Sequence, residues 1–288
     1  MSDIILGTAT QQNLLALQGI NADLDTTQGH LASGLKVASA LDDAVKFFQA
    51  QSLDNRASDL SLRKDSIDQG ISSLTTAVNA TQSAISVLQQ LQGILNTAKT
   101  QTAAQRASSA KQFNTLAQQF DTLLNDASYQ GLNLVNSTKS SLSLQFSNST
   151  ASKLTIAGQN LLYSVVVTGG KVSKVSNAGG NLVNTKGFSA VSNSTSLFDT
   201  GFQSLQTAIA KIQSAAQSAG GNVTFLQTRL DFTSQYIVTL QGGASKLTVA
   251  DVNQESTNLV TLQTRQQLAI QSLSIATQSE QAVLRLFR

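Results

Sequence analysis

Leu259, Leu262, Gln266, Ala269, Leu273, Ala276, Glu280, Val283 and Phe287 alternate steps of three and four residues, and seven of these nine positions are apolar. Such a repeat is the mark of a helix with an apolar seam along one side. The opposite side reads Gln263, Arg265, Gln267, Gln271, Ser274, Gln278 and Gln281, polar but almost uncharged. An isolated helix gains too little from its backbone bonds to offset the entropy lost on ordering, so the seam predicts a partner. Leu14, Leu17, Asn21, Leu24, Gln28, Leu31 and Leu35 repeat the alternation near the other end, with five of seven positions apolar. Two such helices predict pairing of the ends with each other, or with the ends of neighbouring copies.

Between them the same period recurs. Ser39 and Asp42 have capping-box spacing and predict a helix start near residue 40. A stripe then runs Leu60, Ile67, Ile71, Leu74, Val78, Thr81, Ile85, Leu88, Gln92 and Leu95. A helix over 42–99 would be about 85 Å long at 1.5 Å per residue, with Gly70 and Gly93 as places to bend. After the polar stretch Thr100 to Ser109 a third helix carries Phe113, Leu116, Phe120, Leu123 and Ala127, and the short connection predicts that it folds back antiparallel on the second. From Asp199 a fourth stripe runs through Leu205, Ile212, Leu226 and Leu240 towards Gly242-Gly243, where the helix is expected to close. Thr248 with Asp251 then predicts a fresh N-cap.

Gly131 marks a change of period. Leu142, Leu144 and Phe146 alternate with polar residues, as do Leu154 and Ile156, and Val165 to Val167 is β-branched; these read as short strands. Gly169-Gly170, Gly179-Gly180 and Gly187 punctuate a Ser/Asn/Thr-rich stretch that predicts surface loops. The expected fold is mainly α, with long heptad helices in an elongated antiparallel bundle or coiled coil and a small β-rich excursion in the middle. Three parts are expected: a terminal-helix core of residues 1–40 with 251–288, a helical rod of 41–136 with 199–250, and a surface region of 137–198.

Composition narrows the chemistry. Of 288 residues, 12% are charged and 5% aromatic; there is one His and no Cys, Trp or Pro. Disulfides and thiolate metal sites are excluded, and the missing prolines leave long helices unbroken. A formal charge of +3 spread along the chain is not the clustered basic footprint of a nucleic-acid binder. No run approaches the roughly 20 apolar residues of a membrane span. Asp3 precedes only a short apolar run, Ile4 to Leu6, which is not the pattern of a secretory signal. Composition alone would place the chain in the cytoplasm.

Two blocks carry a family resemblance. Ser33-Gly34-Leu35-Lys36-Val37 followed by Ser39-Ala40-Leu41-Asp42-Asp43-Ala44 resembles the block near the start of bacterial flagellins. Leu262-Gln263-Thr264-Arg265-Gln266-Gln267-Leu268 through Gln281-Ala282-Val283-Leu284-Arg285-Leu286-Phe287 is similar to their C-terminal signature. The resemblance implies a subunit that self-assembles into the filament. It also implies partners: further copies of the chain, the flagellar export machinery and its chaperone, and hook-associated and cap proteins. Export without a cleaved signal peptide, to the flagellum outside the cell, is part of the same implication. The polymer interface would then comprise Leu14, Leu17, Leu24, Leu31, Leu35, Leu259, Leu262, Ala269, Leu273, Ala276, Val283 and Phe287. A hook-filament junction protein shares the terminal blocks and stays open as an alternative. A cytoplasmic coiled-coil adaptor is a third reading, from another class.

Nothing in the chain assembles a catalytic constellation, and no cofactor is expected. His30 lies between expected polar positions with no second His to complete a site, and Asp42-Asp43 is expected from the helix macrodipole alone. The glycine pairs lack the context of phosphate loops and read as turns. Many flagellins carry an L-Q-R-V-R-E-L segment recognised by the vertebrate Toll-like flagellin receptor. Here the matching stretch is Leu88-Gln89-Gln90-Leu91-Gln92-Gly93-Ile94, so both Arg positions are Gln and the Glu is Gly, which implies weakened recognition. Family members are often O-glycosylated, making Ser147, Thr150, Ser192 and Thr195 candidate sites.

Overall fold

The structure, a computed structural model, describes residues 8–148, 151–163 and 195–286. Five helices carry most of these: α1 (Thr8–Ser33), α2 (Ala44–Ala98), α3 (Ala103–Asp126), α4 (Thr195–Thr248) and α5 (Val252–Leu286). Among the described residues, four short strands lie between α3 and α4: β1 (Ser128–Tyr129), β2 (Leu132–Asn133), β3 (Ser141–Gln145) and β4 (Lys153–Ala157). The chain divides into two compact units, residues 1–58 with 237–288 and residues 59–236.

In the second unit the expected stripes of α2, α3 and α4 all turn inward. Ile67, Leu74 and Leu88 of α2, Phe120 of α3, and Leu205, Ile212 and Leu226 of α4 are almost fully buried in one core. Each such side chain contributes roughly 1.5–3 kcal/mol of transfer free energy. The antiparallel return of α3 is fastened at its start, where Arg106 Nε donates to Ala98 O at 3.1 Å and its guanidinium lies 5.5 Å from the Phe198 ring centre. The helix begins within the polar stretch rather than after it. Gln105 Oε1 accepts the Thr102 backbone N–H at 3.0 Å, a cap that polar residues provide and an apolar count overlooks.

The strands form two hairpins, β1 with β2 and β3 with β4, both antiparallel. In β3 the alternation holds, with Leu142 and Leu144 buried between exposed Ser141, Ser143 and Gln145. The first hairpin was not expected from the sequence. Gln130 at φ 50° and Gly131 at φ 81° provide the two positive-φ positions of a type I′ turn, so Tyr129 pairs with Leu132. Val165 to Val167 and the glycine pairs beyond them lie outside the described residues.

Several boundaries differ from expectation. α2 starts at Ala44, and its cap is Asp43, whose Oδ1 accepts the Lys46 N–H at 3.0 Å. Asp42 instead turns its carboxylate back on the preceding turn, accepting the N–H groups of Ala38 at 3.0 Å and Ser39 at 2.8 Å. α4 runs through Gly242-Gly243 to Thr248. A Cβ at Gly243 would stand 3.3 Å from Leu53 Cδ1, so here glycine serves close helix packing rather than helix termination. The cap of α5 is Asp251 alone, accepting the Asn253 N–H at 2.9 Å, while Thr248 is the last residue of α4.

Candidate functional site

Within the first unit α1 and α5 lie antiparallel. Gln266 Nε2 donates to Asn21 Oδ1 at 2.7 Å, and towards the other end of the pair Glu255 Oε1 stands 3.5 Å from His30 Nδ1. On α5 the expected row faces α1: Leu259, Leu262, Gln266, Ala269, Leu273 and Ala276 are all half-buried. The α1 row is shifted. Asn21 and Gln28 are exposed and Leu14 is 39% exposed, whereas Thr10, Leu24 and Thr27 are buried and Asn13, Leu17, Ile20 and Leu31 half-buried. Leucine count alone favoured the adjacent row, but a seam accepts small polar residues such as Thr27 when the partner fits them. Leu35 lies past the end of α1 and pairs with Val249 in an isolated β-bridge.

The connector after α1 is built by backbone groups. Gly34 at φ 71° accepts the left-handed conformation that ends the helix, and its N–H donates to His30 O at 2.8 Å. Lys36 N–H then donates to Thr248 O at 2.7 Å, and Ala250 N–H to Gly34 O at 3.0 Å. The two acidic residues follow. Three donations from Ser39 and Ala38 hold the Asp42 carboxyl below its usual range, and the Lys46 N–H does the same for Asp43. His30 is half-buried and faces the Glu255 carboxylate. No group of three His, Cys, Asp or Glu able to hold a metal occurs among the described residues.

The outward sides of this pair keep apolar groups in solvent. Leu15, Val260, Leu268, Ile270 and Ile275 are each more than half exposed. Leu41, Val45 and Phe48, around the start of α2, are likewise exposed. Val283 lies within α5, and Phe287 lies outside the described residues.

The remaining candidates lie in the second unit. Gln89, Gln90 and Gly93 are exposed on α2, while Gln92 is half-buried with its Nε2 unpartnered among the described residues. Ser147 is half-buried in the turn after β3, Thr150 and Ser192 fall outside the described residues, and Thr195 opens α4. Beside Ser147, Asn148 bridges α2, its Oδ1 accepting from Arg63 at 2.6 Å and its Nδ2 donating to Asp59 at 3.1 Å.

Comparison with known proteins accounts for both terminal blocks. Residues 6–140 match the bacterial flagellin N-terminal helical region, and residues 202–287 the bacterial flagellin C-terminal helical region. The chain belongs to the flagellin family. It is 29% identical over 280 residues to flagellin FljO of Caulobacter vibrioides, covering 96% of each chain. Against a flagellin of Brucella melitensis it is 26% identical over 290 residues, covering 100% of each. The crystal structure of Bacillus cereus flagellin is similar at a TM-score of 0.46 and 20% identity, covering 58% of this chain and 88% of that one. Membership carries the family's role, a structural subunit that polymerises into the flagellar filament, which lies outside the cell. The hook-junction alternative is not favoured. Among the described residues no helix is long and apolar enough to cross a membrane.

Proposed function

We propose that the α1–α5 pair is the polymerising element of a flagellar filament subunit and that its two apolar surfaces divide the work. The inward row, including Leu17, Leu24, Leu31, Leu259, Leu262, Ala269, Leu273 and Ala276, holds the pair together within one chain. The outward residues Leu15, Val260, Leu268, Ile270 and Ile275 meet neighbouring copies, with Leu14 at the edge between the two surfaces. The observation that carries this reading is the exposure of Leu268 at 65% and Ile275 at 59% on a helix flanked by uncharged Gln and Ser. Such a surface packs against another copy with little charge to desolvate. Identical subunits joined through surfaces that are not self-complementary extend as an open helix. Leu35, Val283 and Phe287 are assigned to the same polymerising element by the family resemblance.

The finer roles follow the family. Residues 1–40 with 251–288 form the filament interior, residues 41–136 with 199–250 the rod around it, and residues 137–198 the outer surface. The flagellar export machinery and its chaperone deliver the chain, and hook-associated and cap proteins contact it at the filament ends. The role proposed is structural, not enzymatic. Ser147, Thr150, Ser192 and Thr195 are the candidate O-glycosylation positions, and an intact mass of secreted filaments equal to the bare sequence would reject that modification. The central test is deletion of residues 260–288. It should leave a soluble helical protein that forms no filaments when seeded; normal filaments by electron microscopy would overturn the assignment.

A further inference from the structure

We propose that two polar contacts, His30–Glu255 and Asn21–Gln266, select the register in which α1 and α5 pair; the inference rests on reading this pair as the polymerising element. Glu255 keeps only 8% of its side-chain surface exposed, with Oε1 3.5 Å from His30 Nδ1. That nitrogen is itself buried and makes no hydrogen bond to another described residue. Glu255 lies in the first turn of α5 and His30 in the last turn of α1. The Asn21–Gln266 hydrogen bond, 2.7 Å long, fixes a second point of the same antiparallel register. Between these points Leu24 comes level with Leu262 and Leu17 with Ala269.

The apolar seam does not distinguish this arrangement from one slipped by a heptad, because a heptad pattern repeats under that shift. Sliding one way brings Leu24 level with Ala269, Leu31 with Leu262 and Leu17 with Ala276, all apolar, at the loss of both polar contacts. Sliding the other way sets the Glu255 carboxylate against Leu24, where no donor meets it. A buried polar pair penalises both slips, as a lone polar residue in a coiled-coil seam specifies its register. The neighbouring backbone bridge, from Gly34 to Ala250 and from Lys36 to Thr248, is the competing source of register.

Cysteine cross-linking separates the two sources, and the chain's lack of native cysteine makes it clean. Two full-length forms are assembled on seeds and oxidised. Leu24→Cys with Leu262→Cys reports the native register, and Leu24→Cys with Ala269→Cys reports the slipped one. Non-reducing gels distinguish links within a chain from links between chains. With His30 and Glu255 in place, only the first form cross-links within the chain. Adding His30→Leu, Glu255→Leu and Asn21→Ala, which removes both polar contacts and leaves the backbone bridge intact, should raise the slipped yield relative to the native at least about tenfold, the scale of one buried polar group left without its partner. Glu255→Gln, which keeps a polar partner for His30, should restore the native ratio. An unchanged ratio in the triple variant would assign the register to the backbone bridge and overturn the proposal. Failure of the native chain to extend seeds at all would instead overturn the polymerising assignment.

Discussion

At the scale of single residues, the positions that matter most are polar groups answering a local need that periodicity does not register. Asn133 is buried, and its Nδ2 donates to Leu124 O at 2.7 Å and Asn125 O at 3.1 Å while its Oδ1 accepts from the N–H groups of Val135 and Asn136. One side chain thus closes the end of α3 and shapes the turn after β2. Asp121 does similar work, accepting the Tyr163 N–H at 2.6 Å beside a ring packed edge-on against Phe113 and Phe120. Burial raises the Asp121 carboxyl above its usual range. A group raised in the folded state contributes stability below its ordinary value and loses it as pH rises through the raised one. Asp121→Asn keeps the acceptor and removes the ionisation. Thermal melts of the variant should therefore gain on the native chain as pH rises from about 4 to 7, the window that begins at the usual Asp range. A constant difference across that window would reject this account.

At the scale of elements, the hairpins are seated by contacts that leave no room for a side chain. A Cβ at Gly70 would fall 2.5 Å from Leu144 Cδ1, so α2 is notched where β3 crosses it. At Gly158, just past β4, the obstacles are backbone: Ser137 O at 2.5 Å and Ser140 O at 2.9 Å. A leucine end can swing aside, whereas a carbonyl held in a turn cannot. Gly158→Ala should therefore cost about 1–3 kcal/mol, the usual price of overpacking, measured by denaturant melts. Gly70→Ala should cost less, and the reverse order would show that the turn around Ser137 and Ser140 yields more readily than the β3 contact.

At the scale of the whole molecule, the surface of the second unit bears on recognition by other organisms. Gln90, exposed on α2, and Gln92, half-buried, stand at the two positions where the flagellin segment quoted above carries arginine. An Arg hot spot contributes about 2 kcal/mol or more, and a neutral amide lacks its bidentate geometry. Losing the charges at Gln90, Gln92 and Gly93 is expected to weaken receptor binding at least about a hundredfold. A reporter-cell assay with monomeric protein checks this, and potency equal to that of a receptor-active flagellin would refute it.

How much of this was legible beforehand divides along a physical line. Periodicity is a local property, so the sequence by itself determined five helices, the apolar stripes of α2, α3 and α4, the β3–β4 alternation and the two terminal blocks. Turn chemistry and packing are not periodic. Gln130-Gly131 became a hairpin turn because β1 and β2 meet there, and Gly242-Gly243 stayed helical, with Leu53 close against Gly243. The α1 seam runs through Ile20 and Thr27 rather than Asn21 and Gln28 because the facing surface of α5 selects between adjacent rows of nearly equal apolar content. For the same reason only the tertiary structure separated the apolar residues consumed within the α1–α5 pair from Leu268 and Ile275, which remain exposed. A stripe on one helix records that burial is required; the geometry of its partner decides which residues meet it.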